Sequence, residues 1–330
     1  MNINICVACN DRYAPHAAAL IVSILENRNE NEEHVFYVLS DRLSVESRWK
    51  FAEMERTLSC FIRIVDYAEK TFVGWQTWRR SHATYLRIVM GSVLPKDVSK
   101  ILYLDCDMIV RTSLAPLWET DLTGHYAAAV AEGNAEARIF SHLKLDGLYF
   151  NAGMVLFNLD KYREDGIEEK ILQSGDELVG QLSFLDQDLL NLAFHGKTVF
   201  VPYRWNANYN REGHEHFERI GLFSVYSRDK IRTECENAAI VHYCGEKPWR
   251  MSCFHPFRKL YWDCQRKTPF HRNARREYYR SFPKLLRILA KEVISFRVTK
   301  NRTYLKLFGW TVYNSNPIFT PFVETKNEIQ

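Results

Sequence analysis

The hydrophobic and polar positions in the first two-thirds of the chain alternate between two patterns. Short, nearly uniform apolar runs predict strands at residues 3–9, 34–40, 61–64 and 100–110. Helical periodicity separates some of these runs, most clearly at residues 15–26 and 45–58. Strands that are apolar throughout and separated by helices are typical of a parallel sheet with both faces covered. The pattern therefore predicts a doubly wound α/β fold.

Two common activities of that fold depend on glycine-rich phosphate loops, and this sequence contains neither loop. After the first predicted strand it reads Asn10-Asp11-Arg12-Tyr13, and its first glycine is Gly74, so no G-x-G-x-x-G turn follows that strand. A G-x-x-x-x-G-K-[ST] segment does not occur either. The sequence therefore disfavours a dinucleotide-dependent oxidoreductase and a P-loop NTPase.

The charge of the chain is unevenly distributed. The 330 residues are 46% apolar and 25% charged, as in an ordinary globular enzyme, and the net charge is only +4. Residues 250–310, however, hold 16 of the 44 basic residues and 3 of the 40 acidic ones. An acidic body with a basic C-terminal quarter predicts an anionic partner for that quarter, and a membrane surface and nucleic acid both qualify.

The beginning of the chain and its cysteines favour a reducing compartment. No basic segment precedes an apolar stretch, as a cleaved signal peptide requires, and the apolar run at residues 17–25 is too short to cross a bilayer. Eight scattered cysteines do not predict a disulfide framework. Cys6 and Cys9 are three residues apart in a predicted strand and would point to opposite faces, so we interpret them as core residues rather than a redox pair.

A pair of carboxylates ends one of the predicted strands. Asp105 and Asp107 follow the apolar run KILYL, and residues i and i+2 of a strand project to the same face, so both could reach one ion. Two carboxylates suit a hard divalent cation such as Mg²⁺ or Mn²⁺. The alternative is a pair of solvated loop acids, since Asp186-Gln187-Asp188 has the same spacing.

A histidine follows another strand-like run, AAIV. His242 is followed by Gly245, where the backbone can approach a phosphate, and by Lys247, which can contact a phosphate as a point charge. A lone histidine is more often structural than a ligand. If His242 joins the two aspartates, imidazole favours Mn²⁺ over Mg²⁺.

Together these segments resemble the retaining glycosyltransferases of family 8, and in particular the bacterial lipooligosaccharide α-galactosyltransferases. The resemblance rests on ordered blocks over roughly the first 250 residues: VACNDRYAPHA, YLRI, LYLDCDMIVRTSLAPLWETDL, YFNAGMVLFNLDKYR, LDQDLLN and HYCGEKPW. It implies a GT-A type fold, a Rossmann-like mixed sheet with helices on both faces, followed by a basic helical C-terminal tail. It also implies a catalytic domain over residues 1–250 and a separate region over residues 251–330.

The resemblance carries a set of site residues onto this sequence. It implies that Asp105, Asp107 and His242 bind Mn²⁺, with Mg²⁺ as the other candidate. It implies that the nucleotide-sugar is held by Ala8, Asn10, Arg12, Arg87, Asp105, Cys106, Asp107, Asn151, Asp186, Gly245 and Lys247. Gln187 matches the residue placed beneath the anomeric carbon, and Glu132 aligns with an acid near the acceptor.

The sequence departs from the family pattern at two places, and some matches have simpler interpretations. Asn10 stands where close relatives have an aspartate that contacts the base, and Lys247 follows Gly245 at a spacing one residue shorter than in those relatives. Asn151 could lie in a turn before a strand. Gln187 could begin a helix capped by Asp186.

Retention of the anomeric configuration is implied without an obvious nucleophile. The amide oxygen of Gln187 is weakly basic, so we favour a reaction in which the leaving β-phosphate accepts the acceptor's proton on the same face of the sugar. Gln187 would then stabilise positive charge on the sugar. Asp186 as a transient nucleophile is the second hypothesis.

The basic C-terminal region contains a segment with helical periodicity, residues 283–298. Its apolar positions are Leu285, Leu289, Val293 and Phe296, and its basic positions are Lys284, Arg287 and Lys291. Such a helix can lie in a membrane interface, or it can pack on the catalytic domain with its basic face in water. No nucleic-acid recognition motif accompanies these charges, so we expect no nucleic-acid partner.

The sequence therefore favours a cytoplasmic hexosyltransferase, peripheral on the inner membrane. The donor would be UDP-galactose or UDP-glucose, and the acceptor a saccharide or glycolipid in lipopolysaccharide or lipooligosaccharide synthesis. Two alternatives are a nucleotide-sugar-binding protein without turnover and a phosphatase or nucleotidyltransferase, which would leave the block HYCGEKPW unexplained.

Overall fold

The structure is a computed structural model that describes residues 1–40, 42–67, 69–77, 82–133, 145, 147–208, 222–245 and 247–286, and the backbone of 294–299, 302–307 and 310–314. It divides into two compact units. The first comprises Met1–Pro248 and Phe254–Ala274, and the second comprises Trp249–Cys253 and Arg275–Gln330. Residues 254–274, which the sequence analysis grouped with the C-terminal region, thus belong to the first unit.

The first unit is built on a seven-stranded mixed sheet. Its described strands are β1 (Asn2–Ala8), β2 (Glu33–Ser40), β3 (Phe61–Asp66), β4 (Lys100–Leu104), β5 (Met108–Val110), β6 (Ala127–Glu132), β7 (Tyr149–Asn158), β8 (Thr198–Phe200) and β9 (Ile240–His242). The order in the large sheet is β3-β2-β1-β4-β7-β6-β8, and β5 pairs with β9 in a separate two-stranded sheet. Within the large sheet β7 runs antiparallel to both neighbours, while the other described pairings are parallel.

In sequence, the described helices lie between these strands and after β9. They are α1 (Ala14–Glu26), α2 (Val45–Leu58), α3 (Met90–Val93), α4 (Ala115–Trp118), α5 (Leu159–Glu164), α6 (Ile167–Glu177), α7 (Asp186–Ala193), α8 (Arg228–Glu236), α9 (Arg258–Gln265) and α10 (His271–Arg280). Short 3₁₀ turns cover Glu69–Phe72, Ala83–Arg87, Tyr203–Asn206 and Leu222–Ser224. The predicted α/β fold with alternating strands and helices is confirmed, but a wholly parallel sheet is wrong because of β7.

Local sequence explains where the first two helices begin. Pro15 lies in the first turn of α1, where its missing N–H breaks no helical hydrogen bond, and all residues from Ala14 to Ile24 are buried. At the start of α2 the Ser44 side chain accepts a hydrogen bond from the Ser47 N–H at 3.2 Å. These two helices follow the carboxyl ends of β1 and β2, the edge at which open α/β sheets bind ligands.

An aromatic cluster fixes the reversed strand β7. Phe157 of β7 packs edge to face on Phe194 with ring centroids 5.8 Å apart, and Tyr162 meets the same ring at 6.1 Å. The Tyr162 hydroxyl donates to the Ile88 carbonyl at 2.6 Å, so the buried phenol keeps a hydrogen-bond partner. Because β7 is antiparallel to β4, its first residues lie beside the carboxyl end of β4.

The apolar run at residues 100–110 is two strands rather than one. β4 ends at Leu104 and pairs with β1 and β7, whereas β5 begins at Met108 and pairs with β9. Residues 105–107 form the turn between them. The prediction that the pleat of a single strand places both aspartates on one face is therefore wrong. Instead, the chain passes from the large sheet to the two-stranded sheet within residues 105–107, and this turn brings the two carboxylates together.

The second unit contains an antiparallel sheet of β10 (Ile294–Thr299), β11 (Arg302–Leu307) and β12 (Trp310–Asn314). The predicted helix over residues 283–298 is wrong from Ile294 onward, because Phe296 lies in β10. The segment ISFRVT also alternates apolar and polar residues with period two and is rich in β-branched side chains, which favours a strand. Arg287, Leu289, Lys291 and Val293 lie outside the described residues. Within the predicted segment, the described residues 283–286 are helical.

Two further expectations concern membranes and cysteines. Among the described residues, no helix combines the length and the apolar character needed to span a bilayer. All eight cysteines are free. Cys6 and Cys9 are buried, which confirms their interpretation as core residues.

Candidate active site

Strand pairing places His242 beside the two aspartates. Asp105 directly follows β4, and Asp107 directly precedes β5. In the β5–β9 pair Met108 lies opposite His242, and the Tyr243 N–H donates to the Asp107 carbonyl at 2.9 Å. A histidine more than 130 residues away in sequence is thus fixed next to the turn that carries both carboxylates.

The side chains of these three residues converge on one point. Nε2 of His242 lies 3.4 Å from Oδ1 of Asp107 and 4.0 Å from Oδ2 of Asp105. One ligand atom from each of the three residues lies within 4.8 Å of the others. Among the described residues this is the one cluster of three or more histidine, cysteine or acidic side chains with such spacing.

The hydrogen bonding of His242 matches that of a metal ligand. Its Nδ1 lies 2.8 Å from Oδ1 of Asn206, an oxygen that can only accept, so Nδ1 carries the proton. In the neutral imidazole that binds a metal, Nε2 is then the nitrogen whose lone pair faces the carboxylates. Two carboxylates and an imidazole that converge in this way fit a divalent cation.

Gly153 permits this convergence. Its carbonyl accepts from the Asp105 N–H at 2.8 Å, which draws β7 against the start of the aspartate turn. A Cβ atom at residue 153 would lie 2.5 Å from Cε1 of His242. Close approach of side chains, rather than an unusual φ angle, therefore requires glycine here.

Arg87 links two carboxylates at the other side of the cluster. Its guanidinium lies 2.8 Å from Oδ1 of Asp105 and 2.9 Å from Oδ2 of Asp186, and it stacks over Tyr103 with 4.2 Å to the ring centroid. Burial acts to lower the pKa of Arg87, but Asp105 and Asp186 more than offset it and raise that pKa above its usual value. Because Arg87 is only 4% exposed, these partners are needed to keep its charge in the interior.

Lys247 supplies the second positive charge. Its ammonium donates to Oδ2 of Asp107 and, at 2.7 Å, to the Tyr243 carbonyl. Burial acts to raise the pKa of Asp107, but Lys247 and His242 outweigh it, so this pKa lies far below its usual value. Asp107 is therefore ionised at neutral pH.

The first turn of α7 brings Asp186 and Gln187 to the same place. The helix begins at Asp186, and the preceding residue Leu185 has φ +54°, a left-handed conformation that leucine rarely adopts. Asp186 is thus the first helical residue rather than the N-cap. Gln187 accepts from the Ala152 N–H at 3.0 Å, which ties the helix start to β7.

These groups border a cavity of about 570 Å³. The predicted site residues that line it are Ala8, Asn10, Arg12, Arg87, Asp105, Cys106, Asp107, Asn151, Asp186, Gln187, His242, Gly245 and Lys247. Glu132 lies behind this wall and accepts from Nε2 of Gln187 at 3.0 Å. Asn151 lies within β7, so its interpretation as a turn residue is wrong.

Sequence reasoning missed several residues that hold the site together. Asn206 orients His242, and the half-buried Thr84 hydroxyl donates to Asp186. Tyr149 accepts from Gln187 at 3.2 Å and donates to Asp188 at 2.6 Å. Tyr149 and Asp188 stand beside recognised residues in the blocks YFNAG and LDQDLLN, whereas the segment around Asn206 carries no motif.

A family model described as glycosyl transferase family 8 matches residues 4–253 of the 330. The chain belongs to this family. It is therefore a glycosyltransferase, and the family supports a retaining hexosyltransferase.

Individual relatives agree with this assignment. The glycosyltransferase is 29% identical to a putative glycosyltransferase of Haemophilus influenzae, over 77% of this chain and 74% of that protein. It is 26% identical to lipopolysaccharide 1,2-glucosyltransferase of Escherichia coli K12, over 89% of this chain and 83% of the relative.

Solved structures confirm the predicted GT-A type fold. The galactosyltransferase LgtC, crystallised with donor and acceptor sugar analogues, has a TM-score of 0.68 and 26% identity, with 81% of this chain and 96% of LgtC covered. The bifunctional glycosyltransferase WbbM, at 20% identity, has a TM-score of 0.71 over 84% of this chain but only 52% of its own length, so it shows the fold alone.

Proposed function

We propose that this family 8 enzyme transfers galactose or glucose from a UDP-sugar to a saccharide acceptor, with retention and dependence on Mn²⁺. The observation that carries the proposal is the convergence of Asp105, Asp107 and His242 in one cavity with Arg87 and Lys247. Carboxylates, an imidazole and two cations together match a metal diphosphate. A site for a neutral sugar alone would not need these charges.

We assign the residues that line the cavity to different parts of the donor. Ala8, Asn10 and Arg12 follow β1 and would hold the nucleoside, while Gly245 and Lys247 follow β9 and would hold the diphosphate. Asn151, Asp186 and Gln187 also line the cavity and would contact the hexose. The cavity volume of about 570 Å³ lies within the range of ligand pockets.

The metal would be held by Asp105, Asp107 and His242. A bound Mn²⁺ supplies positive charge to the diphosphate leaving group. Lys247 contributes further charge: its ammonium is anchored by the Tyr243 carbonyl at 2.7 Å, so it can contact a β-phosphate oxygen without a large movement.

Retention follows if both bond changes occur on one face of the sugar. The bond from the anomeric carbon to the β-phosphate oxygen breaks, the acceptor hydroxyl oxygen bonds to the same carbon, and its proton passes to the β-phosphate. Gln187 lines the cavity, and its Oε1, which accepts from the Ala152 N–H, keeps a second lone pair. An amide oxygen placed there stabilises positive charge that develops on the sugar.

The contacts of Asp186 favour this reaction over a covalent intermediate. One carboxylate oxygen accepts from Thr84 and the other lies 2.9 Å from Nε of Arg87, and the residue is 4% exposed. A nucleophile would have to leave both partners. Asp186 is better suited to hold Arg87 in place.

Relatives and surface charge together suggest the acceptor. Similar enzymes act as lipopolysaccharide glucosyl- and galactosyltransferases, and a lipid-linked acceptor requires approach to a membrane. The second unit exposes basic residues at Arg275, Arg276 and Arg280, beside Tyr279 at 56% and Phe282 at 46% exposure. Exposed basic and aromatic side chains suit an anionic membrane surface, so we include peripheral attachment in the proposal.

A donor panel tests the proposed reaction. The purified enzyme is incubated with UDP-galactose, UDP-glucose and UDP-N-acetylglucosamine, with MnCl₂ or with EDTA, and with a lactoside acceptor or water. We expect UDP release from one UDP-hexose that requires both MnCl₂ and the lactoside, and NMR of the product should show the donor's anomeric configuration. Tight binding of a UDP-sugar without turnover on any saccharide would instead support the non-catalytic alternative.

A further inference from the structure

A backbone group fixes the orientation of two side-chain amides in the site, those of Asn151 and Asn206. The Gly153 N–H donates to Oδ1 of Asn151 at 3.0 Å. A backbone N–H can only donate, so the Asn151 atom that it meets must be the oxygen. The same oxygen lies 3.0 Å from Asn206, which must therefore present its Nδ2.

That assignment determines which ring nitrogen of His242 carries a proton toward Asn206. With Nδ2 of Asn206 directed at Asn151, its Oδ1 is the atom 2.8 Å from Nδ1 of His242. An amide oxygen accepts only, so the imidazole must carry its proton on Nδ1. Nε2, which lies 3.4 Å from Oδ1 of Asp107 and 4.0 Å from Oδ2 of Asp105, is then the ring nitrogen left to bind the ion.

The other end of Asn151 reaches toward the reacting centre. Its Nδ2 approaches Oε1 of Glu132 at 3.5 Å, and the second oxygen of Glu132 accepts from Nε2 of Gln187 at 3.0 Å. Donor and acceptor assignments agree at every contact from Gly153 to Gln187. Asn206 itself is 1% exposed, so solvent does not compete for its amide.

We propose that Asn206 is a positioning residue that couples the metal-ligating imidazole of His242 to Asn151, which would contact the hexose. This inference rests on the proposed function, since it assigns Asn206 a role toward the metal and the donor of that reaction. Asn206 makes no contact with the predicted ion. It acts by fixing the proton of His242 and the amide of Asn151 with its two ends.

Two substitutions distinguish the roles of the two hydrogen bonds that the Asn206 side chain makes. Asn206→Leu removes both hydrogen bonds while keeping a similar side-chain volume. Asn206→Asp keeps an acceptor for Nδ1 of His242, and a carboxylate there makes the imidazole a stronger ligand. It loses the donor to Asn151, whose oxygen then faces another oxygen.

The first test is a titration of the full chain with MnCl₂ at a fixed concentration of UDP. Binding is measured as the loss of the electron paramagnetic resonance signal of free Mn²⁺, and a titration of UDP without protein is subtracted. We expect Asn206→Leu to weaken Mn²⁺ binding by about 10- to 100-fold, as loss of a ligand's outer partner does. Circular dichroism and thermal unfolding verify that the variant is folded. Asn208→Leu is the matched control, because Asn208 is also a buried asparagine, two residues away, and its Oδ1 has no hydrogen-bond partner among the described residues.

The second test compares binding with turnover in Asn206→Asp. Mn²⁺ affinity should stay within about threefold of wild type, whereas kcat should fall by about tenfold because Asn151 is released. Wild-type Mn²⁺ affinity in a folded Asn206→Leu, or wild-type kcat in Asn206→Asp, would overturn the inference. If the unmodified enzyme neither binds Mn²⁺ nor releases UDP, the proposed function itself fails, which is a different outcome.

Discussion

The backbone of Gly153 lies so close to the ring of His242 that a Cβ atom on residue 153 would fall 2.5 Å from Cε1 of the imidazole. The same atom would lie 2.9 Å from Oδ1 of Asn151 and 3.0 Å from Oδ2 of Asp105. One missing methyl group thus allows β7, the aspartate turn and the histidine to meet.

Gly153→Ala should therefore damage the metal site without removing any ligand. The added methyl group must displace His242 or Asp105, and we expect Mn²⁺ affinity to fall by at least about tenfold. Gly245→Ala is the comparison, because a Cβ there meets nothing within 4 Å. Calorimetric titration with MnCl₂ measures both variants, and equal affinities would contradict the packing argument.

Gln187→Ala should lower turnover and largely spare donor binding. The amide stabilises charge that develops in the transition state, so its loss should reduce kcat by about 100-fold with little change in the donor Kd. Gln181→Ala, at an exposed glutamine six residues earlier, should behave as wild type. An unchanged kcat in Gln187→Ala removes this residue from the mechanism.

Much of the fold and the metal cluster was predictable because the signals are local. The bounds of α2, Val45–Leu58, agree with the helical periodicity, and β1, β2 and β3 were placed within a few residues. Asp105, Asp107 and His242 came from a strand-end pattern joined to a family resemblance.

The remaining features depend on contacts that are distant in sequence. The break between β4 and β5 is hidden because apolar residues continue on both sides of Asp105, and only pairing with β9 separates the strands. Asn206 carries no motif, since its role comes from lying between His242 and Asn151. The position of Phe296 fits the periodicity of a helix and that of a strand, and in the structure this residue lies in β10.

The pH profile of kcat/KM should have an acidic limb that is caused by protonation of Asp186. Burial raises the pKa of Asp186 to about 6, although Arg87 and Thr84 oppose the shift. The charged carboxylate holds Arg87, so kcat/KM should fall as the pH drops below about 6. In the profile of Asp186→Asn this limb should be missing, and an identical limb in the variant would assign it to another group.

The same pKa fixes the sign of a stability effect. Because the folded-state pKa is above the usual value of 3.8, the contribution of Asp186 to the free energy of unfolding is complete below pH 3.8 and is lost as the pH rises through about 6. Chemical unfolding of wild type and Asp186→Asn at pH 5 and pH 8 measures it. The free energy of unfolding of Asp186→Asn minus that of wild type should be larger at pH 8 than at pH 5.

Attachment to membranes should depend on the basic residues of the second unit. Replacing Arg275, Arg276 and Arg280 with glutamine should weaken partitioning onto anionic vesicles by about two orders of magnitude, at about 1 kcal/mol per charge. The control replaces Lys170, Lys230 and Arg232, which are exposed on the first unit. Equal flotation of the two triple variants would refute attachment through this surface.

The central claim is that Asp105, Asp107 and His242 share one cation that holds the donor's diphosphate. The most direct measurement is anomalous diffraction at the manganese edge from crystals grown with MnCl₂ and UDP. The account predicts one strong peak within about 2.0–2.6 Å of an oxygen of each aspartate, Nε2 of His242 and the diphosphate. A manganese peak elsewhere, or a diphosphate bound in this cavity with His242 turned away from the metal, would contradict it.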